Sequence, residues 1–425
     1  MKFTIDDKVR DRHIYIAGKT RHGKSTLMHW MALQDIARGK GVAVLDPKGD
    51  LVEKLIHFIP KSRVADTIYL DGMTPIPIDF MSWKGERERD MLADDLFVTF
   101  RRFSETWGER MDAILRHALN TLLTVEGTTF LDIYYFLADN EYRKKILGKV
   151  RNRDLLLYWE KQFPHLPKDA TSPILSRMSK FILTPSLKGM LGSQNAKLNI
   201  FDLMETRKVL LVNLAKVGKE SGNLLGTLLV SKFQQAAMRR QYQKPKDRIP
   251  FYFYTDEFQN FQTSAFDVIL SEAGGFKLCL TLAHQYVDQL ETKIRASIFG
   301  NVSTMILFRL GQKDAHLFKG EIDEDYIAYL PTLVPGRAIY RDANAHTTLI
   351  KTPTPPEYSR ASYAEIIRKR TIEQYSCEPP KDALLLKDEE VKPAGRPKRA
   401  KHGQHEADSR VQSNETAAGD SVAAR

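Results

Sequence analysis

Cysteine is nearly absent from this chain. Only Cys279 and Cys377 occur in 425 residues, far apart and unlike any metal or redox spacing. Such usage points to a reducing compartment, so a cytoplasmic protein is expected. No hydrophobic run approaches the roughly 18 residues that would span a bilayer. The opening Met1-Lys2-Phe3-Thr4-Ile5-Asp6-Asp7 has no apolar signal core. Repeats of solenoid period are missing. Metal-ligand clusters are missing too, since His13, His22 and His29 fall on different elements and His402 with His405 lacks further ligands. What remains is the composition of a soluble globular protein, 42% hydrophobic and 28% charged. Its length suits two domains, or one large α/β domain with an insertion. The net charge of +11 favours a polyanionic partner such as nucleic acid.

One stretch organises the rest. Gly18-Lys19-Thr20-Arg21-His22-Gly23-Lys24-Ser25 fits G-x-x-x-x-G-K-[ST], with Thr26 following. The glycines let successive backbone N–H groups turn inward around phosphates, Lys24 reaches the β/γ oxygens, and Ser25 holds magnesium. A β-branched and aromatic run precedes the loop. Leu27 to Leu33 follows as an amphipathic helix whose N-terminus would face the anion.

Further strands are expected at 41–46, 66–71, 208–214, 251–257, 277–285 and 303–309, with a hairpin from 338–341 and 347–350. With intervening helices they describe a mainly parallel α/β sheet. Between Trp83 and Ile200 the pattern becomes helix after helix: Glu86 to Phe103, Arg110 to Val125, Thr129 to Ala138 and Leu155 to Phe163. That stretch is read as an all-α insertion. Arg101-Arg102-Phe103 and Arg143-Lys144-Lys145 are candidate nucleic-acid contacts there, or solvated helix faces. The expected organisation is core 1–82, insertion 83–200, core 201–376 and a disordered basic and polar tail 377–425, which contains Gly395 to Gly403.

Several strand ends carry chemistry. The second strand runs into Asp46-Pro47-Lys48-Gly49-Asp50, a polar turn where α/β sheets carry ligand-facing loops. Phe251 to Thr255 runs into Asp256-Glu257, the second half of a nucleotide hydrolase site: Asp256 positions magnesium and Glu257 polarises the attacking water. Gln285, at the end of the next strand, is a candidate for contact with the γ-phosphate or the water, or a helix cap. Arg309 is either a salt-bridge partner or an arginine finger reaching a neighbouring subunit's nucleotide.

Taken in order, the phosphate loop, Asp46 to Asp50, the helical insertion, Asp256-Glu257-Phe258-Gln259-Asn260-Phe261, His284-Gln285 and Asn301 to Gly311 resemble the FtsK/HerA superfamily. Within it they resemble the coupling ATPases of conjugation and type IV secretion, the TraD/TraG type. The likeness covers roughly Ile14 to Pro355; the helical middle matches by position and character more than by motif. It implies a RecA-like P-loop NTPase core with an all-α inserted domain, ATP and Mg2+ as cofactors, and a hexameric ring moving DNA through a central channel. It implies that Lys24 and Ser25 bind phosphate and magnesium, Asp256 holds the metal, Glu257 is the base, Gln285 the sensor and Arg309 the trans finger. Relaxosome or secretion-channel proteins become expected partners, with a peripheral place at the inner membrane through them. Other readings are a HerA/FtsK-type DNA-processing or packaging motor, and a nucleotide-regulated adaptor with weak turnover.

Three features depart from that pattern. The loop carries the bulky Thr20-Arg21-His22 where relatives tend to have small residues, Gly274-Gly275 stands where they often have Arg-Lys, and no transmembrane helix is evident.

Overall fold

A computed structural model describes residues 5–73, 76–102, 108–193, 196–261, 264–356 and 362–376. Nine strands form one sheet: β1 Ile14–Ala17, β2 Gly41–Asp46, β3 Thr67–Leu70, β4 Val209–Asn213, β5 Phe251–Thr255, β6 Leu278–His284, β7 Thr304–Leu307, β8 Arg337–Arg341 and β9 Thr347–Lys351. Their order is β3-β4-β2-β5-β6-β1-β7-β8-β9. Neighbours from β3 through β7 pair in parallel, whereas β8 and β9 are antiparallel additions on the β7 side. The expected mainly parallel sheet and terminal hairpin are therefore present.

The first seven strands are buried along their whole length, which is why they read as near-continuous apolar runs such as Phe251-Tyr252-Phe253-Tyr254. Alternate residues feed two cores. Phe251, Phe253, Leu280 and Leu282 join Phe233 of the long helix Lys219–Arg239 on one face. Tyr252, Tyr254, Val42 and Val44 join Leu27 and Met28 of helix Lys24–Ala37 on the other. A helix spanning Ala364–Tyr375 covers the β3 edge, where Thr371 Oγ1 accepts the Tyr69 N–H at 3.1 Å. That cover removes one exposed row of unpaired backbone groups.

Every described element from Glu86 to Glu205, between β3 and β4, is helical. Boundaries differ from the periodicity in physical detail. The helix expected from Thr129 begins at Asp132, because the Asp132 carboxylate accepts the Thr129 N–H at 2.5 Å and its hydroxyl at 3.0 Å and holds that residue in a turn. The long helix ends at Arg239 and tightens into the 3-10 turn Arg240–Tyr242. The tail 377–425 lies outside the described residues. Among those described, no helix is long and apolar enough to cross a membrane.

Candidate nucleotide site

Parallel strands share a direction, so the segments leaving β2, β5, β6, β1 and β7 meet at one edge of the sheet in that order. Along this edge lie the 46–50 turn, Asp256-Glu257, Gln285, the 18–25 loop and Arg309. Residues from five separate sequence regions are thereby brought side by side.

The loop is shaped by close approach. Gly18 has φ 149°, and a Cβ there would lie 2.5 Å from the Phe308 Cβ. The Phe308 N–H donates to Ala17 O at 2.8 Å and the Lys19 N–H to Arg309 O at 2.7 Å, which ties the loop to the end of β7. Gly23, at φ 118°, opens the helix. Lys24 is buried, its Nζ 2.6 Å from Gly18 O and 3.2 Å from Lys19 O. Burial lowers its pKa, against the opposing charges of Asp256 and Glu257. Of the bulky loop residues, Thr20 and Arg21 are exposed, Arg21 at φ 63°, and His22 Nδ1 lies 2.9 Å from Thr20 O.

Ser25 Oγ donates to Asp256 Oδ2 at 2.9 Å, joining the two halves of the site directly. Asp256 is buried and makes no ion pair among the described residues. Burial first, then the charges of Glu257 and Asp46, raise its pKa to about 6. A buried carboxylate beside a hydroxyl suits a hard dication with oxygen ligands.

Glu257 occupies left-handed backbone, φ 47°, uncommon for a residue with a side chain and a mark of strain held by its surroundings. Its carboxylate accepts three bonds. Oε1 receives Gln285 Nε2 at 2.5 Å and Lys48 Nζ, and Oε2 receives Gln259 Nε2 at 2.8 Å. Burial raises its pKa, but these donors outweigh burial and leave it below the usual range. Gln285 Oε1 in turn accepts from Thr20 Oγ1 at 3.0 Å, so Gln285 bridges the phosphate loop and Glu257. Behind it, His284 contacts the Tyr15 hydroxyl, and burial drives the imidazole pKa down to about 3.

Arg309 is exposed beside its own chain's loop. The Arg143 guanidinium is committed to packing: it donates to Phe136 O at 2.9 Å and lies 4.8 Å over the Phe163 ring. Lys144 pairs with Glu141 at 2.9 Å, while Lys145 and Arg101 are exposed; Phe103 lies outside the described residues. Gly274 and Gly275 precede β6, at the end opposite Gln285, a seven-residue strand or about 20 Å from the loop. A Cβ at Gly274 would fall 2.2 Å from Asp11 O, so the N-terminal 3-10 turn Asp7–Arg12 leaves no room for an arginine there.

Sequence reasoning singled out the 46–50 turn without a task for Lys48. The signal was its place after β2; that β2 adjoins β5 is known only from the sheet.

No protein-family model matches the chain, and no curated protein matches it by sequence. Solved structures do resemble it. The unbound bacterial conjugative coupling protein TrwBΔN70 superposes with a TM-score of 0.62 at 12% identity over 85% of this chain and 90% of that one. The plasmid coupling protein TrwB with ADP and Mg2+ gives 0.61 at 14% identity over 84% and 89%. VirB4 of Thermoanaerobacter pseudethanolicus gives 0.56 at 14% identity over 81% and 90%. The chain has the RecA-like P-loop fold shared by TrwB and VirB4.

Proposed function

We propose that the protein is an ATP-hydrolysing motor that moves DNA in conjugative transfer or type IV secretion, acting in the cytoplasm as a ring of identical subunits, a hexamer by analogy. The observation that carries this reading is the meeting of Lys24 and Ser25 with Asp256 and Glu257 at one sheet edge, through the Ser25–Asp256 bond. The likeness to TrwB, which has been solved with ADP and Mg2+, supports the choice of ligands.

In this mechanism Lys24 and the loop N–H groups bind the β- and γ-phosphates. Ser25 and Asp256 would hold Mg2+, which when bound would neutralise developing charge on the phosphates. Glu257 orients a water for in-line attack, and Gln285 passes the state of that site to the loop through Thr20. Arg309 is proposed to reach a neighbour's nucleotide. The helical segment 83–200 is proposed as the substrate-recognising insertion between the two core segments 1–82 and 201–376, with relaxosome or channel proteins as further partners.

The test is ATP turnover with and without DNA, with Lys24→Ala as control. Turnover stimulated by DNA and abolished by Lys24→Ala is expected; absence of any DNA effect would remove the translocase. DNA affinity should also fall steeply with salt, because phosphate contacts release counterions.

A further inference from the structure

Lys48 stands at the site edge against Glu257, outside the loop motif. The turn carrying it is built with care. Asp46, buried, accepts the Lys48 N–H at Oδ1 (3.0 Å) and the Leu51 and Val52 N–H groups at Oδ2 (2.7 and 3.1 Å). Gly49 takes φ 81°, and a Cβ there would strike Asn213 Oδ1 at 2.5 Å. All this fixes a lysine whose side chain is 48% exposed, with its ammonium on a carboxylate that is 4% exposed. An ordinary surface ion pair adds little stability. A turn this constrained points to a task for Lys48 beyond stability.

Charge arithmetic supplies the task. A glutamate that orients water for attack on the γ-phosphate must stand next to that phosphate, and two anions at that distance repel. Lys24 serves the β/γ bridge from the loop side. On the β2 side, Lys48 already contacts Glu257 Oε1. We propose that Lys48 bridges Glu257 to the γ-phosphate and is the residue by which the site prefers a nucleoside triphosphate to a diphosphate. The inference rests on the nucleotide-site reading above. A diphosphate lacks the group that Lys48 would touch, so its binding is indifferent to Lys48. Removing the ammonium leaves Glu257 facing the γ-phosphate uncompensated, and the loss falls on the triphosphate alone.

Calorimetric titration of the full chain with ADP and with a non-hydrolysable ATP analogue, both with Mg2+, tests this. Lys48→Met should weaken the analogue about tenfold, the scale of one charge-assisted hydrogen bond. ADP affinity should stay within about twofold, and Lys48→Arg should restore the preference. Equal loss for both nucleotides would mean that Lys48 only supports the fold of the site, and an unmoved ratio would mean that it does not read the γ-phosphate; either overturns the proposal. If the wild type binds both nucleotides and the ratio fails to move, this inference alone falls. Should the wild type bind neither, or Lys24→Ala bind as well as wild type, the site reading falls and takes the inference with it.

Discussion

Glu257→Gln separates chemistry from binding more cleanly than any other change to this site. An amide keeps the shape and hydrogen-bonding reach of the carboxylate but cannot take a proton from water. With its carbonyl oxygen at the Oε1 position it still accepts from Gln285 and Lys48. Its NH2 would then face Gln259 Nε2, and a flip of the Gln259 amide turns that clash into a bond. Little in the fold is lost, so the melting temperature should move by no more than about 1 °C, the effect of under 1 kcal/mol in a domain this large. Loss of a positioned general base costs roughly 10²–10⁴ in rate, or about 3–5 kcal/mol of barrier. Single-turnover hydrolysis of ATP measures the rate, and titration with ADP measures binding. Turnover within tenfold of wild type, with ADP bound normally, would show that Glu257 does not activate water and that the mechanism above is wrong.

Gly18→Ala should cripple the loop, because the new Cβ meets Phe308 Cβ at 2.5 Å in a backbone conformation that resists side chains. A loss on the order of 1–3 kcal/mol in melting experiments, with weakened ADP binding, is expected; an unchanged protein would refute the packing argument. Arg309→Ala should abolish turnover, yet regain it when mixed with Glu257→Gln subunits that keep Arg309; failure of rescue would exclude a trans role. A third change lies far from the nucleotide. Asp95 accepts from Gln235 Nε2 at 2.9 Å, and chiefly burial raises its pKa to about 6. The folded state therefore binds the proton before the unfolded chain does, so this group's contribution to stability is greatest at low pH and is lost as pH rises through about 6. Asp95→Asn should stabilise the protein relative to wild type at pH 7.5 and lose that advantage near pH 4, by urea denaturation at the two values; a difference independent of pH would contradict it.

The loop could be read in the sequence because its spacing is itself the chemistry. Gly18, Gly23, Lys24 and Ser25 act through local backbone geometry, and eight consecutive positions suffice to specify it. Sheet strands were readable too, since burial on both faces leaves a short, β-branched apolar run such as Val42-Ala43-Val44-Leu45. Arg143 shows the opposite case: a basic triplet looks the same whether its arginine faces solvent or lies over Phe163.

Sequence alone thus determined which side chains can bind a phosphate or activate water, because those properties belong to residue types at fixed short spacing. The tertiary structure decided who meets whom. The order β2-β5-β6-β1 sets Lys48 against Glu257, 209 positions away, and Thr20 against Gln285, 265 positions away. Strand order is a property of the folded sheet, set by how helices cover its two faces, and no local pattern of residues encodes it.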